Sequence, residues 1–339
     1  MQFPCDYKKL FKDQIMNRLL KEESMYKMIK NVCIYGAGGV GGYFGGKIAH
    51  KINQGNLTIQ VHFIGRGEHL KAIQQQGLYL ITDKEEFLCH PNMVTDDVEQ
   101  IPTPELYLLC VKGYDLDSAV TSISKNIHPD TIILPLLNGV DIYERIKILL
   151  PQAIVSPACV YVSSSIEIPG TIRQKGAEGH IVFGKDQKYQ DYNYTHLIKF
   201  FDEMGINYAW HDNPYKAIWE KYVFIAAFSL MTAYSGKTLG GVLSEDRLKS
   251  MTEKIMQEVV LIGKTKNIHF EQDIVEKSLQ IAQNFPYETK TSFQRDYEKG
   301  NTRHEGDIFG GALIRLAKEH NVSIPTIIYV YGKLMARKI

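Results

Sequence analysis

The sequence predicts an α/β fold whose first half builds a mostly parallel sheet and whose second half is all-helical. Three observations carry that expectation. A glycine-rich turn, Gly36-x-Gly38-x-x-Gly41, follows an apolar run and opens a helix-like segment. Strand and helix signals alternate through the first half of the 339 residues. Beyond about residue 184, β-branched alternation fades and helical periodicity takes over.

Residues 32–35 are the first strand and residues 40–52 the first helix. Between them, Gly36 allows a tight turn, Gly38 lets backbone approach a pyrophosphate, and Gly41 lets the helix pack close to the strand. Gly36, Ala37, Gly38, Gly39, Val40 and Gly41 are therefore the expected phosphate cradle of a Rossmann-type domain. The free N–H groups and partial positive charge of the helix start favour an anion there. An ordinary glycine-rich turn is the other reading.

Residues 57–64 predict a second strand, residues 68–76 a helix ended by Gly77, and residues 78–88 a short hairpin. Residues 106–112 and 131–137 are apolar strands that run into polar turns, and residues 153–165 and 179–183 are expected as strands at the far edge. Helices are expected over 194–204, 214–234, 244–266, 273–284, 291–299 and 307–320. Pro214 suits a first helical position and Gly300 a helix stop. The junction falls in the polar stretch 184–190, giving a nucleotide-binding domain over 28–186 and a helical substrate domain over 187–339. Residues 1–27 are expected as an accessory helix or a poorly ordered extension, without the apolar core of a signal peptide.

Composition excludes several functions. A net charge of +1 makes no electrostatic case for nucleic acid or an acidic membrane surface. The most apolar helical stretch, 222–234, is too short to span a bilayer. The five cysteines are odd in number and lack metal-ligand spacing, which fits buried thiols in a reducing cytoplasm. The histidines form no spaced metal cluster.

Candidate chemistry clusters where strands end. Arg66 follows the second strand where binders of NAD place a carboxylate, so it suits the 2′-phosphate of NADP; a solvated loop arginine is the alternative. Lys112 and Asn138 end two strands at the positions where ligands sit in such sheets, or are ordinary turn residues. Lys221 stands where an apolar helix begins, either as a solvated residue or as a cleft lysine with lowered proton affinity. Ser292 and Glu305 flank a polar segment and on their own read as a helix cap and a first-turn dipole partner.

Together these residues resemble the ketopantoate reductase (2-dehydropantoate 2-reductase) family. The likeness runs from about residue 30 to 333. It follows Gly36-Ala-Gly-Gly-Val-Gly41, Arg66, Val111-Lys112, Asn138-Gly139, Trp219-Glu-Lys221, Thr291-Ser-Phe-Gln-Arg-Asp296, His304-Glu305 and Glu319-His-Asn-Val-Ser-Ile-Pro325. The resemblance implies NADPH-dependent reduction of a small 2-oxo acid in the route to pantothenate and coenzyme A. It implies that Lys112 and Asn138 hold the nicotinamide end of NADPH, that Lys221 donates the proton, that Ser292 binds the substrate carboxylate and that Glu305 contacts a substrate hydroxyl. Asn138 also reaches a substrate oxygen on this reading.

One departure stands out. Many family members carry asparagine four and eight residues after the catalytic lysine, and this chain has Ile225 and Ser229, placed on the substrate face with Lys221. Isoleucine cannot bond a hydroxyl, so either another residue replaces the asparagines or the substrate is a different branched or aromatic 2-oxo acid. A non-catalytic NADP-binding sensor and a hydroxyacid or phosphogluconate type of dehydrogenase are further alternatives. A homodimer through apolar patches of the helical half is compatible with the sequence.

Overall fold

The computed structural model describes residues 28–336 except 56, 301 and 302. The segment expected as an accessory extension, 1–27, lies outside the described residues.

From the start of the described chain, β1 (Asn31–Tyr35) leads through the glycine turn into α1 (Gly39–Gln54), then β2 (Gln60–Ile64) and α2 (Gly67–Gln76). A hairpin of β3 (Leu78–Ile81) and β4 (Glu86–Cys89) precedes β5 (Met93–Thr95) and β6 (Leu106–Leu109). Next come α3 (Leu116–Ile123), β7 (Ile132–Pro135), α4 (Ile142–Leu149) and β8 (Ile154–Val155). Six strands form one sheet in the order β5-β2-β1-β6-β7-β8. Every pairing in it is parallel. The chain leaves β1 toward β2 on one side and later returns to add β6 on the other. That reversal opens a crevice at the carboxyl ends of β1 and β6, where ligands bind in such sheets.

Side chains alternate across the strands and bury both faces. Val32, Ile34, Leu106, Leu108, Ile132 and Leu134 join the core under α1. Cys33, Tyr107, Leu109 and Ile133 join the opposite core, which continues without a break into the helical half. The two halves are thus joined by apolar packing.

The far edge differs from expectation. The run expected as one strand over 153–165 divides among three sheets. β8 closes the main sheet. Pro157 has no N–H to continue that ladder, and β9 (Ala158–Tyr161) and β10 (Ser164–Ile168) leave it. β10 pairs with β11 (Thr171–Gln174) in a four-stranded sheet ordered β10-β11-β3-β4. β9 joins β12 (His180–Gly184) in a three-stranded sheet, whose other edge is β13 (Tyr208–His211). Between β12 and β13 lies α5 (Thr195–Met204), and its Leu197, Phe200, Phe201 and Met204 pack into the core under α1. The helical half therefore begins after His211, later than the expected change at residue 187. An apolar helical stripe identified α5 but could not say which core it covers.

The helical half comprises α6 (Tyr215–Ser235), α7 (Leu239–Leu243), α8 (Asp246–Thr265), α9 (Ile274–Gln283) and α10 (Ser292–Glu298). A π turn at Asp307–Gly311 then leads into α11 (Ala312–Glu319), and α12 (Pro325–Ala336) follows. α6 is surrounded by α8, α10 and α12, which explains why it is apolar nearly all round. α12 was not anticipated. Pro325 starts it, and the buried Glu258 of α8 accepts hydrogen bonds from the backbone N–H groups of Thr326 and Ile327, both at 2.8 Å. A cap supplied from another helix leaves no local sequence signal. Among the described residues no helix is long and apolar enough to cross a membrane.

Candidate active site

The glycine turn has the shape a dinucleotide requires. Gly36 has φ +103°, and a Cβ there would lie 2.8 Å from the Cys110 carbonyl oxygen of the neighbouring strand end. A Cβ on Gly41 would lie 2.0 Å from the Gly36 carbonyl oxygen, so the turn closes only around glycine. Gly38 is the opposite case: nothing lies within 4 Å of where its Cβ would be. α1 starts without a side-chain cap and without an acid in its first turn. Its first N–H groups are therefore available to an anion. Ala37 is buried and hydrogen-bonded through its carbonyl oxygen to His69, Val40 is half-buried, and Gly39 lies under β10. Close walls around an open Gly38 fit a pyrophosphate lying on the turn.

Arg66 emerges beside this turn. It is exposed, and its Nη2 is 2.5 Å from Oδ2 of Asp115, in the turn after β6. The other oxygen of Asp115 is 2.5 Å from Nη2 of Arg303, on the loop that leads to Glu305. The Arg303 guanidinium lies 4.8 Å from the centre of the Tyr114 ring. Neither Asp115 nor Arg303 was singled out from the sequence. They lie 49 and 237 residues from Arg66 in the chain (115 − 66 and 303 − 66), so only the sheet order and the docking of the two halves bring them together.

Deeper in the crevice, α6 carries Lys221 to the ends of two strands. Its Nζ donates to Oδ1 of Asn138 at 2.9 Å and to the carbonyl oxygen of Val160 at 2.7 Å. The Tyr161 ring lies 5.4 Å from the same nitrogen. An ammonium has three N–H donors, so one remains for a ligand oxygen. Burial pushes the Lys221 pKa below the ordinary lysine value, against the opposing effects of Cys159 and Glu305. Its two acceptors are neutral, so they orient the ammonium without cancelling its charge.

Lys112 sits across from it in a different setting. Its Nζ is 3.0 Å from Oδ2 of Asp296 and 3.0 Å from Oε2 of the buried Glu305. Burial works against the Lys112 charge, but Glu305 and Asp296 outweigh it and hold its pKa above the ordinary lysine value. The structure thus brings Lys112 to Glu305 and Asn138 to Lys221. Asp296 was visible only as part of the polar segment, with nothing to mark it as a lysine partner.

Thr291 caps α10 by accepting from the Gln294 N–H, which leaves Ser292 as a partly exposed first helical residue. α10 packs on α6. Ile225 is partly exposed, one turn beyond Lys221 on the same helix. Ser229 is a correction. It was expected on the substrate face, but it is fully buried and its hydroxyl has no hydrogen-bond partner among the described residues. At about 100° per residue, eight positions rotate a side chain about 80° from Lys221 and four rotate it about 40°. Ile225 therefore stays near the cleft face, whereas Ser229 turns into the core.

Comparison with known proteins agrees with this architecture. Residues 32–188 match the family model described as ketopantoate reductase PanE/ApbA, and residues 213–338 match the model of its C-terminal part. An uncharacterized oxidoreductase of Bacillus subtilis, YkpB, is 26% identical over 89% of this chain and 96% of its own length. The crystal structure of 2-dehydropantoate 2-reductase from Porphyromonas gingivalis superposes with a TM-score of 0.76 at 27% identity, covering 91% of this chain and all of that one. D-mandelate dehydrogenase, solved with NADH and anilino(oxo)acetate, shares the fold at a TM-score of 0.78 and 20% identity, over 91% of this chain and 98% of its own.

Proposed function

Because this chain belongs to the ketopantoate reductase PanE/ApbA family of oxidoreductases acting on CH–OH groups, we propose that it reduces 2-dehydropantoate to pantoate with NADPH, in the route to pantothenate and coenzyme A. The observation that carries the proposal is Lys221, held by two neutral acceptors with one N–H to spare.

When bound, the reduced nicotinamide supplies the hydride to C2 of the 2-oxo acid. The glycine turn from Gly36 to Gly41 holds the pyrophosphate, and Arg66 pairs with the 2′-phosphate. Asn138 and Lys112 line the nicotinamide end. Lys221 stabilises the negative charge that develops on the carbonyl oxygen and then gives that oxygen its proton. Its lowered pKa brings the proton nearer to transfer at neutral pH. Asn138 and the Val160 carbonyl fix the direction of the ammonium. Ser292 holds the substrate carboxylate, and Glu305, anchored on Lys112, faces a substrate hydroxyl.

A second reading is supported by Ile225. With isoleucine one turn from Lys221 and Ser229 buried, this helix offers no polar side chain to a hydroxyl at either position. A branched or aromatic 2-oxo acid suits such a wall better than a hydroxylated one. Steady-state oxidation of NADPH and of NADH with a panel of 2-oxo acids decides between them. The first reading expects the highest kcat/KM for 2-dehydropantoate with NADPH. A clear preference for an acid lacking the terminal hydroxyl replaces it with the second, and binding of NADPH without turnover on any acid overturns both.

A further inference from the structure

We infer that Asp115 sets the choice between phosphorylated and unphosphorylated nicotinamide dinucleotides, by occupying two arginines that a 2′-phosphate would otherwise take. The inference rests on the reading that Arg66 faces the 2′-position of the cofactor.

The geometry is that of a filled anion clamp. Arg66 stands at the carboxyl end of β2, beside the glycine turn. Asp115 reaches it from the far side of the crevice, and Arg303 reaches Asp115 from the helical half. The Asp115 side chain is only 13% exposed, while the two arginines are 69% and 58% exposed. The carboxylate therefore lies beneath two guanidinium groups that open to solvent, with one oxygen on each. That is the arrangement an incoming phosphate would take, since a phosphate likewise presents several acceptor oxygens to paired arginines.

The charges decide which cofactor gains. Without Asp115 the cluster would carry two positive charges, and with it only one. A 2′-phosphate brings between one and two negative charges. Placed on Arg66, it meets a carboxylate already there, so part of the attraction goes to displacing Asp115. A ribose 2′-hydroxyl meets no such conflict, because it can donate to the carboxylate. Asp115 thus narrows the preference that Arg66 alone would give to NADPH. Arg303, which the sequence did not identify, is the second phosphate cation.

The test measures binding rather than turnover. NADPH and NADH are titrated separately into the full chain and into Asp115→Asn, Asp115→Ser, Arg303→Ala and Arg66→Ala, with nicotinamide fluorescence and calorimetry as readouts. Thermal melting confirms folding, and the serine variant serves where the asparagine variant does not fold. In the Asp115 variants the ratio of NADPH to NADH affinity should rise about tenfold, the value of one charge-assisted hydrogen bond. Arg303→Ala should lower NADPH affinity about tenfold and leave NADH within about twofold. A looser joint between the two halves would change both cofactors alike, so an unchanged ratio in the Asp115 variants overturns the inference, as does a shift toward NADH. Arg66→Ala separates the two ideas. If it leaves the ratio unchanged, Arg66 does not meet the phosphate and the underlying reading fails. If it lowers the ratio while the Asp115 variants do not move it, only the role of Asp115 is wrong.

Discussion

The two ends of the crevice use the same ingredients, a cation with oxygen acceptors, in opposite surroundings. At the inner end, Lys221 is partly buried and held by an amide oxygen and a backbone carbonyl, both neutral. At the outer end, the exposed Arg66 and Arg303 are held by a carboxylate. Neutral acceptors direct a charge without neutralising it, and burial keeps water from screening it. A carboxylate neutralises its partner, and open solvent screens what remains. On the proposed reading, the inner cation acts on a charge that appears during reaction, and the outer pair sorts ligands by a charge they already carry. The inner end should thus show its effects in kcat, and the outer end in affinity.

Removing Lys221 is the strongest way to break that contrast. A positioned acid contributes about 10²–10⁴-fold in rate, so Lys221→Ala should lower kcat by about that factor while NADPH affinity changes little. The pH profile sharpens the point. Lys221 must carry its proton to donate it, so kcat/KM for reduction should be level below its pKa and fall above it. Because burial lowers that pKa, the fall should begin below the ordinary lysine value of about 10.4. Stopped-flow or steady-state rates across the alkaline range would show it. A wild-type profile that stays level through that value, or a kcat in the alanine variant equal to wild type, removes Lys221 from the chemistry.

Glu305 lies between the two ends and tests how far the inner rule extends. Glu305→Gln keeps its shape and removes its charge. Lys112 still has Asp296 at 3.0 Å, and its own side chain is 41% exposed, so solvent and the second carboxylate soften the loss. We expect kcat/KM to fall about tenfold, about 1.4 kcal/mol, with a small drop in melting temperature. Equal values of both in wild type and variant would show that the Lys112–Glu305 pair neither organises the site nor supports the fold.

The same contrast explains what was legible in the sequence. The glycine turn was readable because its demands are largely local: Gly36 has φ +103°, and Gly41 is forced by the Gly36 carbonyl oxygen of the same turn. The parallel sheet and most helices followed from periodicity. The environment of Lys221 was not readable, because its acceptors come from residue 138, in the turn after β7, and residue 160, on β9. Asp115 and Arg303 were hidden for the same reason, and so was the Glu258 cap of α12. β13 was not anticipated, and α5 was grouped with the helical half because a helical pattern says that a face is buried without saying against what. Ser229 was misplaced by treating eight residues as a whole number of turns.

The smallest expected effect is at Ile225. Of the two positions where relatives of this chain were expected to show asparagine, only Ile225 remains near the cleft. Ile225→Asn restores an amide one turn from Lys221. If the isoleucine wall sets substrate preference, the variant should favour 2-dehydropantoate over its analogue lacking the terminal hydroxyl more than wild type does. A hydroxyl entering an apolar wall is poorly discriminated, whereas a site built to bond it rejects the analogue strongly. A single amide without the second asparagine will recover only part of that, so a change of about threefold to tenfold in the ratio of kcat/KM is expected. Because neither the Arg66 ion pairs nor the hydrogen bonds of Lys221 involve Ile225, the NADPH-to-NADH ratio should not move. A variant that changed cofactor preference but not substrate preference would show that the two ends of the crevice are coupled through α6, and the division of labour between them would no longer hold.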